Sequence, residues 1–225
     1  MRENGRVLTV YFAGDLFDAK DLVGNLLLAQ AVEKYSGGRY KINLPQDWEC
    51  QVTQRSAQSI RNEDFRLLLA SDIIVANFDG TDLDSGTVVE FCFAKMTDMP
   101  AVLLRTDFRS GGDASLPDNV PWNLMASHFP RTEVLHVNSM KLYHEFKTVG
   151  DVSEKLEKYY RKIAVAVIEK LDSVTGERSW LTPDKLSDAL YMAVKSIGGD
   201  AGNIFNDEEL RFLATHKLNS GLYQA

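Results

Sequence analysis

Short, almost wholly apolar runs, VLTVYFA at 7–13, DIIVANF at 72–78 and AVLL at 101–104, are separated by stretches whose apolar residues recur at helical spacing. A strand that is apolar on both faces must be covered on both, and parallel sheets lying between two helix layers are where such strands occur. Residues 19–35 read as a helix in which Leu22, Leu26, Ala29 and Val32 recur near the 3.6 period, leaving Glu33 and Lys34 toward solvent. Further strands are expected at 40–44 and 133–137, and further helices at 56–70 and 86–95. Alternation through about the first 140 residues predicts an α/β fold with a doubly wound parallel sheet and a ligand crevice beyond the carboxyl ends of its strands. Gly14, Pro45 and Asp79 fall near that crevice.

The chain changes character after residue 145. Leu156, Tyr160, Ile163, Val167 and Leu171 mark a long amphipathic helix, Thr182 before Pro183 is a cap and first-turn pair, and Asn206 before Asp207, Glu208 and Glu209 is another start signal. The expectation is an α/β domain over 1–145 and a C-terminal helical extension over 146–225 that carries no chemical motif. Residues 109–121, RSGGDASLPDNVP, read as a long loop.

Composition narrows the partners. Hydrophobic residues make up 44% and charged residues 25%, as in an ordinary globular protein, and no apolar run is long enough to span a membrane. Residues 7–13 are too short, and too soon followed by Asp15, to serve as a signal segment, so a cytoplasmic location is expected. Cys50 and Cys92 lack metal or redox spacing and fit free thiols in a reducing compartment. A net charge of -7 without a dense basic patch argues against a nucleic acid polymer and for a small, roughly neutral ligand. His128, His136, His144 and His216 show no metal spacing and read as surface or strand-end residues, so no metal is expected. Gly14 alone is no dinucleotide fingerprint, and a G-x-x-x-x-G-K cradle is missing, so no cofactor is expected.

The segment DGTDLDSGTVVEFCFA at 79–94 carries the chemistry. Ser85 can cap a helix whose next turns are Val88, Val89, Phe91, Cys92, Phe93 and Ala94, which places Glu90 inside an apolar helix. Burying a carboxylate costs several kcal/mol unless it is partnered, so Glu90 beside a ligand crevice is a candidate functional group. The alternatives are a helix-edge position or an ion pair with Arg105. A calcium loop is excluded by the spacing of Asp79, Asp82 and Asp84.

Four elements together carry a resemblance: Tyr11-Phe12-Ala13-Gly14, Asp64 eight positions before Asp72, Asp84-Ser85-Gly86-Thr87-Val88-Val89-Glu90, and Asn123-Leu124-Met125. Over roughly residues 7–138 the chain resembles the nucleoside 2-deoxyribosyltransferases, its most specific part being the D-S-G-T-x-x-E element just after a buried strand. The resemblance implies a flavodoxin-like fold and movement of 2-deoxyribose between nucleobases, with a deoxynucleoside and a free nucleobase as the ligands. It implies that Glu90 is the covalent nucleophile, as in a retaining glycosidase, that Tyr11 orients its carboxylate, and that Asp64 supplies or relays the proton to the departing base. Asp84 would accept a hydrogen bond from the sugar 5′-hydroxyl and repel a 5′-phosphate, favouring nucleosides over nucleotides. Gly14 would line the substrate site, and Asn123 would complete it from a neighbouring subunit of a homo-oligomer. Read without the resemblance, Tyr11 is a core tyrosine, Asp64 a solvated helix residue beside Arg61 and Arg66, and Asp84 a turn aspartate. An N-glycoside hydrolase with the same nucleophile, or a nucleoside-sensing protein without catalysis, are the alternative functions.

The chain departs from the family pattern in two places. Family members often end soon after the fifth helix with a tyrosine whose terminal carboxylate helps bind the sugar, whereas here a helical tail continues to Leu222-Tyr223-Gln224-Ala225. Pro45-Gln46-Asp47-Trp48-Glu49 occupies the stretch expected to touch the base. There Trp48 either stacks on a purine or fills the core, and Glu49 aligns loosely with the family's polar contact.

Overall fold

The structure, a computed structural model, describes residues 6–48, 56–109, 121–148, 150–198 and 204–223. Five parallel strands, β1 (Leu8–Ala13), β2 (Tyr40–Asn43), β3 (Ile73–Asn77), β4 (Ala101–Arg105) and β5 (Thr132–His136), form a sheet in the order β2-β1-β3-β4-β5. This is the flavodoxin-like order that the resemblance implies, and it agrees with the doubly wound sheet that the alternation predicts. Its strands are joined through α1 (Ala19–Tyr35), α2 (Pro45–Trp48), α3 (Ala57–Ala70) and α4 (Ser85–Met96). After β5 come α5 (Ser139–Glu145), α6 (Val152–Val174), α7 (Pro183–Ser196) and α8 (Asp207–Asn219). Because strand order reverses after β2, right-handed crossovers place α1 on one face and α3 and α4 on the other, opening the crevice between the tips of β1 and β3.

The central strands are buried for the reason their composition gives. Every residue of β4 is buried, as are Val10, Tyr11, Phe12 and Ala13 in β1 and Ile73 to Ala76 in β3. Strand ends are tighter than expected. Val7 is half exposed outside β1, and Asp72 stands outside β3, where its carboxylate accepts from the Thr9 N–H (2.9 Å) and hydroxyl (3.0 Å). Leu44 and Phe78 likewise lie just beyond their strands. The helices α2 and α5 were not expected. Each is short, and Asn138 starts α5 by accepting from the Lys141 N–H at 2.8 Å.

The buried face of α1 is shorter than the recurrence of Leu22, Leu26, Ala29 and Val32 suggests. Leu28, Ala29, Ala31 and Val32 are buried where α6 and β2 pack on the helix, but Leu22 and Leu26 in the first turns are exposed at 37% and 39%. In α6, Ile163, Val167 and Leu171 are buried as expected, whereas Leu156 is exposed. Thr182 precedes α7 without making a side-chain cap, and Pro183 supplies the start.

The helical extension is bolted to the amino-terminal edge of the sheet by buried charges. Before β4, fully buried Asp98 accepts from Arg131 Nη1 (3.0 Å), the Ser179 hydroxyl (2.6 Å) and the Trp180 N–H (3.2 Å), while Arg131 Nη2 donates to the Leu222 carbonyl (2.7 Å). Before β3, the ammonium of fully buried Lys217 in α8 donates to the Ser71 carbonyl at 2.6 Å, and burial lowers its pKa to about 8. Arg6 joins the Asp72 carboxylate (3.3 Å) to the His216 carbonyl (2.9 Å). His216 is therefore a half-buried member of a polar cluster and not the surface residue the sequence suggested. Among the described residues, no helix is long and apolar enough to cross a membrane.

Candidate active site

The crevice is built from the tips of β1 and β3 and the start of α4. At the tip of β1, a Cβ on Gly14 would stand 3.1 Å from the Cβ of Asn77 in β3, a tight approach of the two strand ends. Three residues earlier, the fully buried ring of Tyr11 reaches α4, and its hydroxyl donates to Glu90 Oε1 at 2.5 Å. The helix α4 buries Thr87, Phe91 and Ala94 on one face while Val89 is 53% exposed, so it is not apolar all round. Glu90 sits at the border of the buried face and is only partly exposed.

Burial pushes the Glu90 carboxyl up to about 7, the charges of Asp64 and Asp84 act in the same direction, and the Tyr11 hydrogen bond opposes them. Among the described residues no Lys or Arg lies within ion-pair distance of Glu90. The pair with Arg105 is not formed. That guanidinium is instead taken up by the carbonyls of Phe78, Gly80 and Arg109. A carboxyl poised near neutrality, held by one phenol, can act as nucleophile or base once ionised.

The cap of α4 is Asp84 and not Ser85. Asp84 Oδ2 accepts from the Thr87 N–H (2.7 Å) and hydroxyl (2.9 Å), the reach a cap requires, and Ser85 is the exposed first residue of the helix. Asp84 Oδ1 makes no hydrogen bond to the described residues and remains available. Asp64, half-buried in α3, is near enough for its charge to act on Glu90. Arg66 meanwhile pairs with Glu209 in α8 at 2.8 Å, and Arg61 donates to Asn62 at 2.9 Å. Trp48, the last residue of α2, is 38% exposed and so does not fill the core. Glu49 and Cys50 lie outside the described residues.

Asn123 starts a single 3-10 turn, Leu124–Ala126, by accepting from the Met125 N–H at 2.9 Å. It is exposed, Met125 beside it is 75% exposed, and no hydrogen bond joins Asn123 to Glu90 or Asp84. Tyr11, Glu90, Asp64 and Asp84 are thus brought together within one chain, and Asn123 is turned outward.

Two residues between β1 and α1 carry features that no motif marks. Asp15, one position past Gly14, has its carboxyl pKa raised by burial and then by Asp84, Asp21 and Asp79. Phe17, 76% exposed, stands just before Asp18, which caps α1. The signal for Phe17 was an apolar ring between a strand end and a cap residue, where nothing local would bury it. Among the described residues, no group of three or more His, Cys, Asp or Glu side chains is placed to hold a metal ion.

The family model described as nucleoside 2-deoxyribosyltransferase matches residues 10–125. No curated protein matches the chain. Among solved structures, a conserved protein from Enterococcus faecalis is 23% identical, with a TM-score of 0.49, over 70% of this chain and 99% of its own. A 2-desoxiribosyltransferase from Leishmania mexicana is 23% identical, with a TM-score of 0.44, over 54% of this chain and 86% of its own.

Proposed function

The chain belongs to the nucleoside 2-deoxyribosyltransferase family, and from that premise we propose that it moves 2-deoxyribose between nucleobases through a covalent intermediate on Glu90. Tyr11 holds Oε1 of Glu90, leaving Oε2 to attack the anomeric carbon from the face opposite the base. As the C–N bond breaks through an oxocarbenium-like transition state, its electron pair stays with the base, and Asp64 supplies or relays the proton that makes the base a neutral leaving group. A second base attacks the same carbon and gives its ring N–H proton back through Asp64, as the bond to Glu90 breaks with its electron pair staying on the carboxylate, restoring free Glu90 and the original anomeric configuration.

The observation that carries this reading is the short Tyr11–Glu90 hydrogen bond at the crevice, on a carboxyl that no described cation neutralises. Asp84 accepts from the sugar 5′-hydroxyl through its uncommitted oxygen and repels a 5′-phosphate. Trp48 lies against the base. The amide nitrogen of Asn123, whose oxygen is used in its own turn, donates to the sugar of a neighbouring subunit's site, which makes the working unit a homo-oligomer. Residues 1–145 carry the chemistry; of the rest, α6 covers the sheet face beside α1, and the segment from Ser179 onward braces the amino-terminal ends of the strands.

Two-base exchange tests the reading. A deoxynucleoside incubated with a different free base, in turn adenine, hypoxanthine, cytosine and thymine, gives the exchanged nucleoside, and sugar release is slow without a base. Rapid sugar release unaffected by added base would make the protein a hydrolase. Absence of both turnover and a deoxyribosyl adduct in the intact mass would leave a sensing role.

A further inference from the structure

We propose that Arg105 and Asp79 form a reciprocal clamp that positions Asp84, and that this clamp sets how strongly the site reads the sugar 5′-hydroxyl. The inference rests on the reading of Asp84 given above. Arg105, at the end of β4, is buried, and its fork donates to the carbonyls on either side of Asp79, those of Phe78 and Gly80, the latter at 3.1 Å. Asp79 answers in the other direction, its carboxylate accepting from the Thr106 N–H (2.5 Å), the Thr106 hydroxyl (2.6 Å) and the Asp107 N–H (2.7 Å). Each strand exit is held by a side chain from the other.

The clamp ends where the path to Asp84 begins. Gly80, at φ 102°, turns the chain so closely that a Cβ would stand 3.0 Å from the Asp82 carbonyl. Only Thr81, Asp82 and Leu83 then separate that turn from Asp84. Asp84 is therefore fixed on one side by the clamp and on the other by its cap on Thr87. The nearest carboxylate to Arg105 is that of Asp107, 3.9 Å away, so the guanidinium is buried chiefly to hold carbonyls. An apolar side chain would fill the space without the desolvation penalty, but it would not fix two carbonyls in one plane. Slackening the clamp leaves the local cap and the Tyr11–Glu90 bond intact and lets the loop drift. The 5′ contact suffers and the nucleophile does not.

The experiment compares kcat/KM for a 2′-deoxynucleoside with that for its 2′,5′-dideoxy counterpart, in the wild-type chain, Asp84→Ala, Arg105→Lys and Thr106→Val. Lysine keeps the charge but not the fork, and Thr106→Val removes one hydroxyl at nearly constant volume, so the second variant folds even if the first does not. The ratio is expected to drop about tenfold in Arg105→Lys and about threefold in Thr106→Val, with the dideoxy substrate unchanged within about twofold. Equal losses on both substrates, or an unchanged ratio in the variants that fold while Asp84→Ala lowers it, overturn the clamp alone. An unchanged ratio in Asp84→Ala, or no turnover by the wild-type chain, overturns the reading of the site and the clamp with it.

Discussion

The two ends of the sheet hold the same kinds of side chain and treat them in opposite ways. At the amino-terminal edge, Asp98 meets Arg131 and Asp72 meets Arg6, while the buried ammoniums of Lys95 and Lys217 donate to backbone carbonyls, so the buried carboxylates there each face a cation. At the carboxyl tips, Glu90 has a phenol as its partner, and the nearby charges of Asp64 and Asp84 are of its own sign. A neutralised buried charge contributes to structure and is chemically quiet, whereas a carboxyl left with one hydrogen bond sits near neutrality and can react. In this chain the extension after residue 145 supplies much of the neutralising end, through Ser179, Lys217 and the Leu222 carbonyl.

The contrast breaks most sharply at Glu90. Glu90→Gln keeps the shape and removes the proposed nucleophile, so kcat is expected to fall by about a thousandfold or more while nucleoside binding changes by less than about threefold. Stopped-time product assays with calorimetry check this, and matched losses of rate and affinity would return Glu90 to the structural class.

At the other end, Asp98→Ala leaves the Arg131 guanidinium buried without its anion and is expected to destabilise the fold by about 3–5 kcal/mol. Urea unfolding measures it. Turnover per folded molecule should be preserved, and a change in the pH–rate profile of the folded fraction would show the two ends to be coupled.

The ends should also give stability slopes of opposite sign against pH. The Glu90 pKa rises from 4.5 to about 7 on folding, so its contribution is fully present below 4.5 and is lost as pH rises through about 7. The His216 pKa is lowered from 6.5 by burial and by Arg6, so its contribution is present above 6.5 and is lost as pH falls through the folded value. Unfolding midpoints across this range should lose the first slope in Glu90→Gln and the second in His216→Gln. Tyr11→Phe removes the bond that favours the ionised carboxyl, and the acid limb of kcat/KM should move to higher pH. The smallest effect is at the cap, where Asp84→Ala is expected to cost about 1 kcal/mol of stability.

Much of this was legible along the chain, and what was not has a common cause. The strands announced themselves because apolar runs such as Ile73 to Ala76 are local signals, and D-S-G-T-x-x-E marked the helix that carries Glu90. The cap was misread by one position because Asp84 and Ser85 are both good cap residues, and only backbone geometry chooses between them. The buried stripe of α1 is shorter than its period suggests because periodicity does not say which turns of a helix a neighbour covers. Short α5 offered little period to detect, and His216 looked superficial because Arg6, its partner, is 210 positions away.

From its order of residues alone, the chain fixes the alternation of buried strands and amphipathic helices and sets an acid within a helix rich in apolar side chains. Those are consequences of local pattern, since burial of a face follows from its spacing. Whether a given acid meets a cation or a phenol was decided only when folding brought Tyr11 to Glu90 across 79 positions and Lys217 to Ser71 across 146. Electrostatic energy depends on distance and desolvation in three dimensions, and neither is a property of sequence neighbours.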